Sequence, residues 1–198
     1  MNKAREKIRF RSIKQNDLTQ IIRIHRDTFD KSHFSVYFSD KLLLDYFSTL
    51  LRFNPLSFLA EDETGNIVGF VISGNKTRHA LKIFAKRNKF RLVLMLFKRP
   101  RFLIEKAEEL FNKFFSDGKK LQPEMRIFII AVSSAFKSQG IGSLLLKHFE
   151  KILLSQNLNV YGLSVRKGNY SAINFYKKNN FKLEFTDRKS YYFIKNIN

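Results

Sequence analysis

At 198 residues the chain is long enough for one domain with a substantial core, and 44% apolar with 27% charged residues are the proportions of a soluble globular fold. It has no cysteine, which excludes disulfides, thiolate nucleophiles and cysteine-based zinc sites, and fits a reducing compartment. Thirty-seven Lys and Arg against 17 Asp and Glu leave a formal charge of +20, a field that attracts nucleic acid, anionic lipid or polyanionic small ligands.

The first seven residues lead into a strand pattern rather than an apolar signal core. The longest apolar run, 92–97, is far too short to cross a bilayer. Both points give the expectation of a cytoplasmic protein. Alternation over 8–13 predicts a first strand. Asp17 is the expected N-cap of a helix whose apolar face is Leu18, Ile21, Ile22, Ile24 and Phe29. An aromatic-rich loop over 30–39, with His33, Phe34 and Tyr37, separates it from a second helix over 40–51 that stops near Asn54-Pro55. Strands over 57–61 and 67–72 form a hairpin about the turn 62–66.

The pattern then changes. Helices are expected over 77–97 and 101–115, with Pro100 where the second would begin, and the region closes at Asp117-Gly118 and Gln122-Pro123. Charge is concentrated here: residues 64–104 carry ten Lys and Arg and no acid. A buried strand follows over 125–132, then a helix to 155 whose apolar positions include Leu144, Leu145, Leu146, His148, Phe149, Ile152 and Leu153. A strand over 159–165, a helix over 170–178 and strands over 181–185 and 190–194 complete a single domain spanning 1–198, with a basic helical insertion at about 76–120. This order describes an α+β fold around a mixed sheet.

Between the strand ending at Val132 and the apolar positions of the helix, which is expected to start at Gly140, lies Phe136-Lys137-Ser138-Gln139-Gly140-Ile141-Gly142-Ser143. Strand, glycine loop and helix leave free backbone N–H groups at a positive helix end, which suits phosphate. A P-loop needs Gly-Lys-Ser/Thr, which is absent. A dinucleotide fingerprint needs a third small residue where Leu145 stands. The run instead resembles the acetyl-CoA motif of the GCN5-related N-acetyltransferases (GNAT), Arg/Gln-x-x-Gly-x-Gly/Ala, with Lys137 at the first position. A second stretch, Val165 through Asn169, Ala172, Phe175 and Tyr176 to Asn180-Phe181, resembles that family's later motif, with Asn180 where a Gly is usual.

The resemblance implies a GNAT-like three-layer α/β arrangement: a mixed, mainly antiparallel sheet flanked by helices, with the helical insertion between strands 3 and 4. It implies acetyl-CoA as co-substrate and no metal. Pantetheine would lie along the backbone of Ile130, Ala131 and Val132, and the pyrophosphate against the amides of Lys137, Ser138, Gln139, Gly140, Ile141, Gly142 and Ser143. Asn169 would touch the pantetheine arm, and Tyr176 would protonate the departing thiolate. Asn169 is equally suited to capping a helix, and Tyr176 to packing in a core. No Glu stands on the strand 126–132, so the general base stays open among Glu61, Glu124, His33, Tyr37 and ordered water.

The acceptor expected from this resemblance is a small-molecule amine, with a nucleotide- or lipid-linked amino sugar of surface polysaccharide synthesis as the specific expectation. The basic insertion is open to two readings: an interfacial helix on anionic membrane at the inner surface, or a hairpin that shapes the acceptor pocket. No base-reading motif argues for specific nucleic-acid binding. The alternative function is a binding module of the same fold, held on membrane or nucleic acid with little catalysis. Both a monomer and a homodimer fit the sequence.

Overall fold

Strand β3 (Ile67–Gly74) is buried at every position, as a run of Ile, Val and Phe bounded by glycines would be at the middle of a sheet. Around it the computed structural model, which describes residues 8–102, 104 and 123–197, builds a seven-stranded sheet. The other strands are β1 (Arg9–Ser12), β2 (Phe58–Glu61), β4 (Arg126–Val132), β5 (Val160–Arg166), β6 (Lys182–Thr186) and β7 (Ser190–Asn196), in the order β1-β2-β3-β4-β5-β7-β6. Among the described residues the pairing is antiparallel throughout except between β4 and β5.

Helices cover both faces. Leu18, Ile21 and Ile22 of α1 (Leu18–Thr28), Leu43, Phe47 and Leu50 of α2 (Asp40–Phe53) and Ala80 and Phe84 of α3 (Thr77–Arg87) pack with Leu59, Phe70 and Ile72 on one side. Leu145, Phe149 and Leu153 of α5 (Ile141–Ser155) and Ile173 and Tyr176 of α6 (Tyr170–Lys178) pack with Val71, Tyr161 and Phe193 on the other. This is the mainly antiparallel, three-layer sheet that the sequence predicts.

Two local expectations need correction. Asp17 does precede α1, but its carboxylate accepts from Lys14 N–H and from Arg11 rather than from the amides of the helix. Arg11 is two residues from Arg9, and both converge on Glu61, so the acid nearest the helix start is drawn into the ion pairs of the β1 edge. The helix expected over 77–97 is broken at Asn88 into α3 and α4 (Lys89–Phe97). The Asn88 side-chain amide donates to Asp45 on α2 and, at 3.1 Å, to the Phe84 carbonyl that also accepts the Asn88 backbone N–H, so the break is pinned to α2 by a tertiary contact that periodicity does not reveal. Helical backbone resumes at Pro100, as expected, but the helix proposed to residue 115 and the turn near 117–122 fall mostly outside the described residues.

Candidate active site

The parallel pairing of β4 with β5 lasts for two residues, Arg126 with Gly162 and Ile127 with Leu163. Next to it the β3–β4 register steps between Ile72 and Ser73, so Phe128 is an extra residue on β4. A bulge of this kind bends its strand, and β4 leaves β5 there. Gly162 serves the same junction. A Cβ at this position would lie 2.7 Å from the Arg126 guanidinium, which crosses β5 to pair with Glu184.

Beyond the bulge, strand alternation decides which backbone groups face the gap. Ser133 N–H donates to the Val68 carbonyl, so 131 and 129 share that ladder, while 130 and 132 turn their N–H and C=O away from β3. Of the three residues expected to line a pantetheine arm, Ile130 and Val132 therefore present backbone to the gap. Ala131 presents its backbone to Phe70 on β3. The Val132 carbonyl is met at 3.4 Å by the hydroxyl of Thr28, at the end of α1.

The glycine loop has the form its sequence suggested. Ser138 and Gly140 have φ of +62° and +84°, both left-handed, and such reversals turn successive amides to one side. The first helical bond of α5 runs from Leu144 N–H to the Gly140 carbonyl, so the N–H groups of Ile141, Gly142 and Ser143 have no acceptor within the helix. Gly142 also lies under the Phe175 ring, 3.0 Å from where its Cβ would stand. Lys137 is exposed beside the loop, and Gln139 reaches back to the Ala135 carbonyl. A gap edged by strand backbone, ending at a cradle of amides, fits an extended amide-bearing chain with phosphates at one end.

Asn169 caps α6 by accepting from Ala172 N–H at 3.1 Å. The cap uses its oxygen, and the NH2 end remains the part that can serve a ligand. Tyr176 is buried among Phe175, Phe181 and Phe193, and that burial pushes its phenol well above the ordinary value.

A cleft of about 730 Å³ opens beside this gap. Thr28, Asp30, Ser32 and His33 form one wall, and the segment 166–171 with Asn169 forms the other. Arg188 and Lys189 of the β6–β7 turn and Arg101 complete it. Among the described lining residues, five cationic side chains, Arg101, Arg166, Lys167, Arg188 and Lys189, thus stand with one carboxylate, that of Asp30. Hydrogen bonds from Ser32, with a smaller pull from His33 and Arg166, hold Asp30 below the usual carboxylate range. Burial, and then Arg166, push the His33 imidazole below its ordinary value, with the Phe29 ring 4.8 Å away. The downward shift favours the neutral imidazole, the form that can accept a proton.

The other bases considered from sequence lie elsewhere. Glu61 is 3% exposed and paired with Arg9 and Arg11, which keep its carboxyl low. Glu124 is exposed at the start of β4. Tyr37 lies under the Arg99 guanidinium at 4.1 Å, and Phe102 packs on both Tyr37 and Phe34. The segment after β3 thus closes on the aromatic loop and contributes Arg101 to the cleft. Arg166, Lys167, Arg188 and Lys189 carried no motif, because residues from separate turns meet only in the fold.

A strand-lined gap, an amide cradle and a cleft thus stand together at one end of a mainly antiparallel sheet. The sequence matches the model of the Acetyltransferase (GNAT) family over residues 18–181, and the chain belongs to that family. Solved structures with a similar fold include Ard1 from Thermoplasma volcanium (22% identity, TM-score 0.59, 97% of this chain and 99% of that one). Another is the ribosomal-protein-S18-alanine N-acetyltransferase from Escherichia coli (17%, 0.58, 96% and 94%). A third is the PaiA N-acetyltransferase from Thermoplasma acidophilum in complex with coenzyme A (17%, 0.57, 96% and 98%). Comparison with curated proteins gives no significant match. The protein is an N-acetyltransferase of that family, and the PaiA structure of the same fold holds coenzyme A. Among the described residues no group of three His, Asp or Glu is placed to hold a metal ion, and no helix is long and apolar enough to cross a membrane.

Proposed function

We propose that the protein acetylates the primary amine of a phosphate-bearing amino sugar, nucleotide- or lipid-linked. The observation that carries this reading is the cleft whose described lining brings guanidinium and ammonium groups from three separate segments, 101, 166–167 and 188–189, around the Asp30 carboxylate. An unmodified cationic amine gains nothing from such a wall, whereas a phosphate near the amine offsets the repulsion and is held by guanidinium forks.

When bound, acetyl-CoA supplies the acetyl group as a thioester open to direct attack. On this reading, the backbone of Ile130 and Val132 holds the pantetheine arm and the amides of residues 137–143 hold the pyrophosphate. His33, neutral and in the acceptor cleft, takes the proton released as the amine forms its new bond to the acetyl carbon. Tyr176, kept protonated by burial, holds the proton that the leaving sulfur requires. Asp30 steadies the ammonium form of the acceptor before that transfer.

Thiol release tests the proposal with three acceptors: a nucleoside-diphosphate amino sugar, the same sugar unphosphorylated, and an alanine-terminated peptide. The phosphorylated acceptor is expected to give kcat/KM at least roughly tenfold above either of the others, with the advantage lost at high salt. Equal rates on the two sugars, or preference for the peptide, overturn it.

A further inference from the structure

Helix α4 has its apolar residues on two faces, and one of them looks outward. At about 100° per residue, Leu92, Met95 and Leu96 share one side. Leu92 and Met95 pack on the core formed with α1, α2 and α3. Phe90, Val93, Leu94 and Phe97 share the opposite side and stand 87%, 42%, 59% and 70% exposed. Ile104, also exposed, follows on the next helical segment. Scattered surface apolar residues are ordinary, but two phenylalanines and two aliphatics stacked on adjacent turns form a contiguous patch that asks for a partner.

The borders of the patch say which partner. Lys89 flanks it on one side and Arg91 and Lys98 on the other, all exposed. No carboxylate occurs anywhere in residues 64–104, so no part of this segment offers the alternating charges by which a helix selects a protein groove. An apolar stripe with aromatic side chains, fringed on both sides by long cationic side chains and carried on a chain of net charge +20, matches the interface of a bilayer whose headgroups are negative. Neither the donor gap nor the cleft uses any of these residues.

We propose that the outward face of α4 docks on an anionic lipid bilayer. Phe90, Leu94 and Phe97 enter the boundary between headgroups and acyl chains, while Lys89, Arg91 and Lys98 lie against lipid phosphates. Arg101, four residues beyond Phe97, lines the cleft, so docking brings the acceptor site close to the membrane surface. The inference stands apart from the identity of the acceptor, since a docked enzyme serves soluble and lipid-linked amines alike.

Sedimentation of the full chain with vesicles tests it. The protein is expected to pellet with phosphatidylglycerol/phosphatidylcholine vesicles and to stay in solution with phosphatidylcholine alone. Replacing Phe90, Leu94 and Phe97 together by Ser should weaken partition at least roughly tenfold, and each of K89E, R91E and K98E about fivefold or more. All these positions are exposed; retained thermal stabilisation by acetyl-CoA shows that a variant has folded. Wild type left in the supernatant with anionic vesicles overturns the proposal. Equal binding by the triple Ser variant does so too, since adsorption would then be due to net charge alone. A dimer in size-exclusion chromatography that the triple Ser variant dissolves, without vesicle binding by wild type, would assign the face to a second copy of the chain.

Discussion

The gap proposed for the donor and the cleft proposed for the acceptor meet near Thr28 and are made of different material. The gap is built from backbone: two strands that part after Ile127, and a loop whose amides turn to one side at Ser138 and Gly140. The cleft is built from side chains contributed by the end of α1, the turn after β5, the β6–β7 turn and the segment after α4. A backbone site depends on conformation and tolerates many side chains, so it constrains the sequence at few, conspicuous positions. A side-chain site can be rewritten residue by residue without disturbing the sheet. One fold can thereby keep its donor and change its acceptor.

Breaking the donor side should have the largest effect. Gly140→Val places a β-branched residue at φ +84°, costing about 1–3 kcal/mol of strain and dispersing the amide cradle. The affinity for acetyl-CoA, read by isothermal titration, is expected to fall about a thousandfold, the strain adding to the loss of charge-assisted hydrogen bonds. Acceptor binding should be untouched.

The cleft is probed next by His33→Gln. Loss of a general base should lower kcat about a hundredfold. The sign of the pH dependence follows from the lowered imidazole pKa: wild-type kcat/KM rises with pH as His33 loses its proton below its ordinary 6.5, and is level above that limb. The Gln variant should lack the limb in a pH–rate profile. A limb that persists would remove His33 from the mechanism.

A smaller effect separates the two regions directly. Arg188→Gln should raise the KM for a phosphorylated acceptor about tenfold through one lost charge-assisted bond while leaving the KM for acetyl-CoA unchanged. An equal rise in both would mean that the cations serve the cofactor's phosphates instead. Smallest is Gly162→Ala, whose methyl would displace the Arg126 guanidinium from Glu184 and press on the Phe193 carbonyl at 3.0 Å. Thermal unfolding should show a loss of about 1–2 kcal/mol.

The same contrast explains what could be read from the chain. The strands 67–74 and 126–132 announce themselves by their dense Ile, Val and Phe, and the cradle by two glycines two residues apart. Asn169 was legible as a helix cap because its position relative to Ala172 is local. Arg166, Lys167, Arg188 and Lys189 were not, since charge on a basic chain carries no mark of where it will point. Asn88 and Asp17 misled for a related reason. Both are short polar residues whose partners, Asp45 and Arg11, are chosen by tertiary packing. For the proposed base the sequence offered His33 among several candidates without a ground to prefer it; its burial and its nearness to Arg166 are properties of the folded cleft.

The two-residue seam between β4 and β5 has a further consequence. Strands β1–β4 and β5–β7 are two half-sheets stitched at Arg126–Gly162 and Ile127–Leu163, with helices on either side to keep them in register. A bound pantetheine arm would act as the missing rung between them, so occupancy should be felt as cohesion as well as chemistry. By mass action, acetyl-CoA at a hundred times its dissociation constant would add about 2.7 kcal/mol to the unfolding free energy. The amides of Ile130 and Val132 would be the first to slow their exchange with deuterated solvent. In such a molecule, a fall in the supply of acetyl-CoA would loosen the protein itself, and its lifetime against proteolysis would follow the acetyl-CoA level.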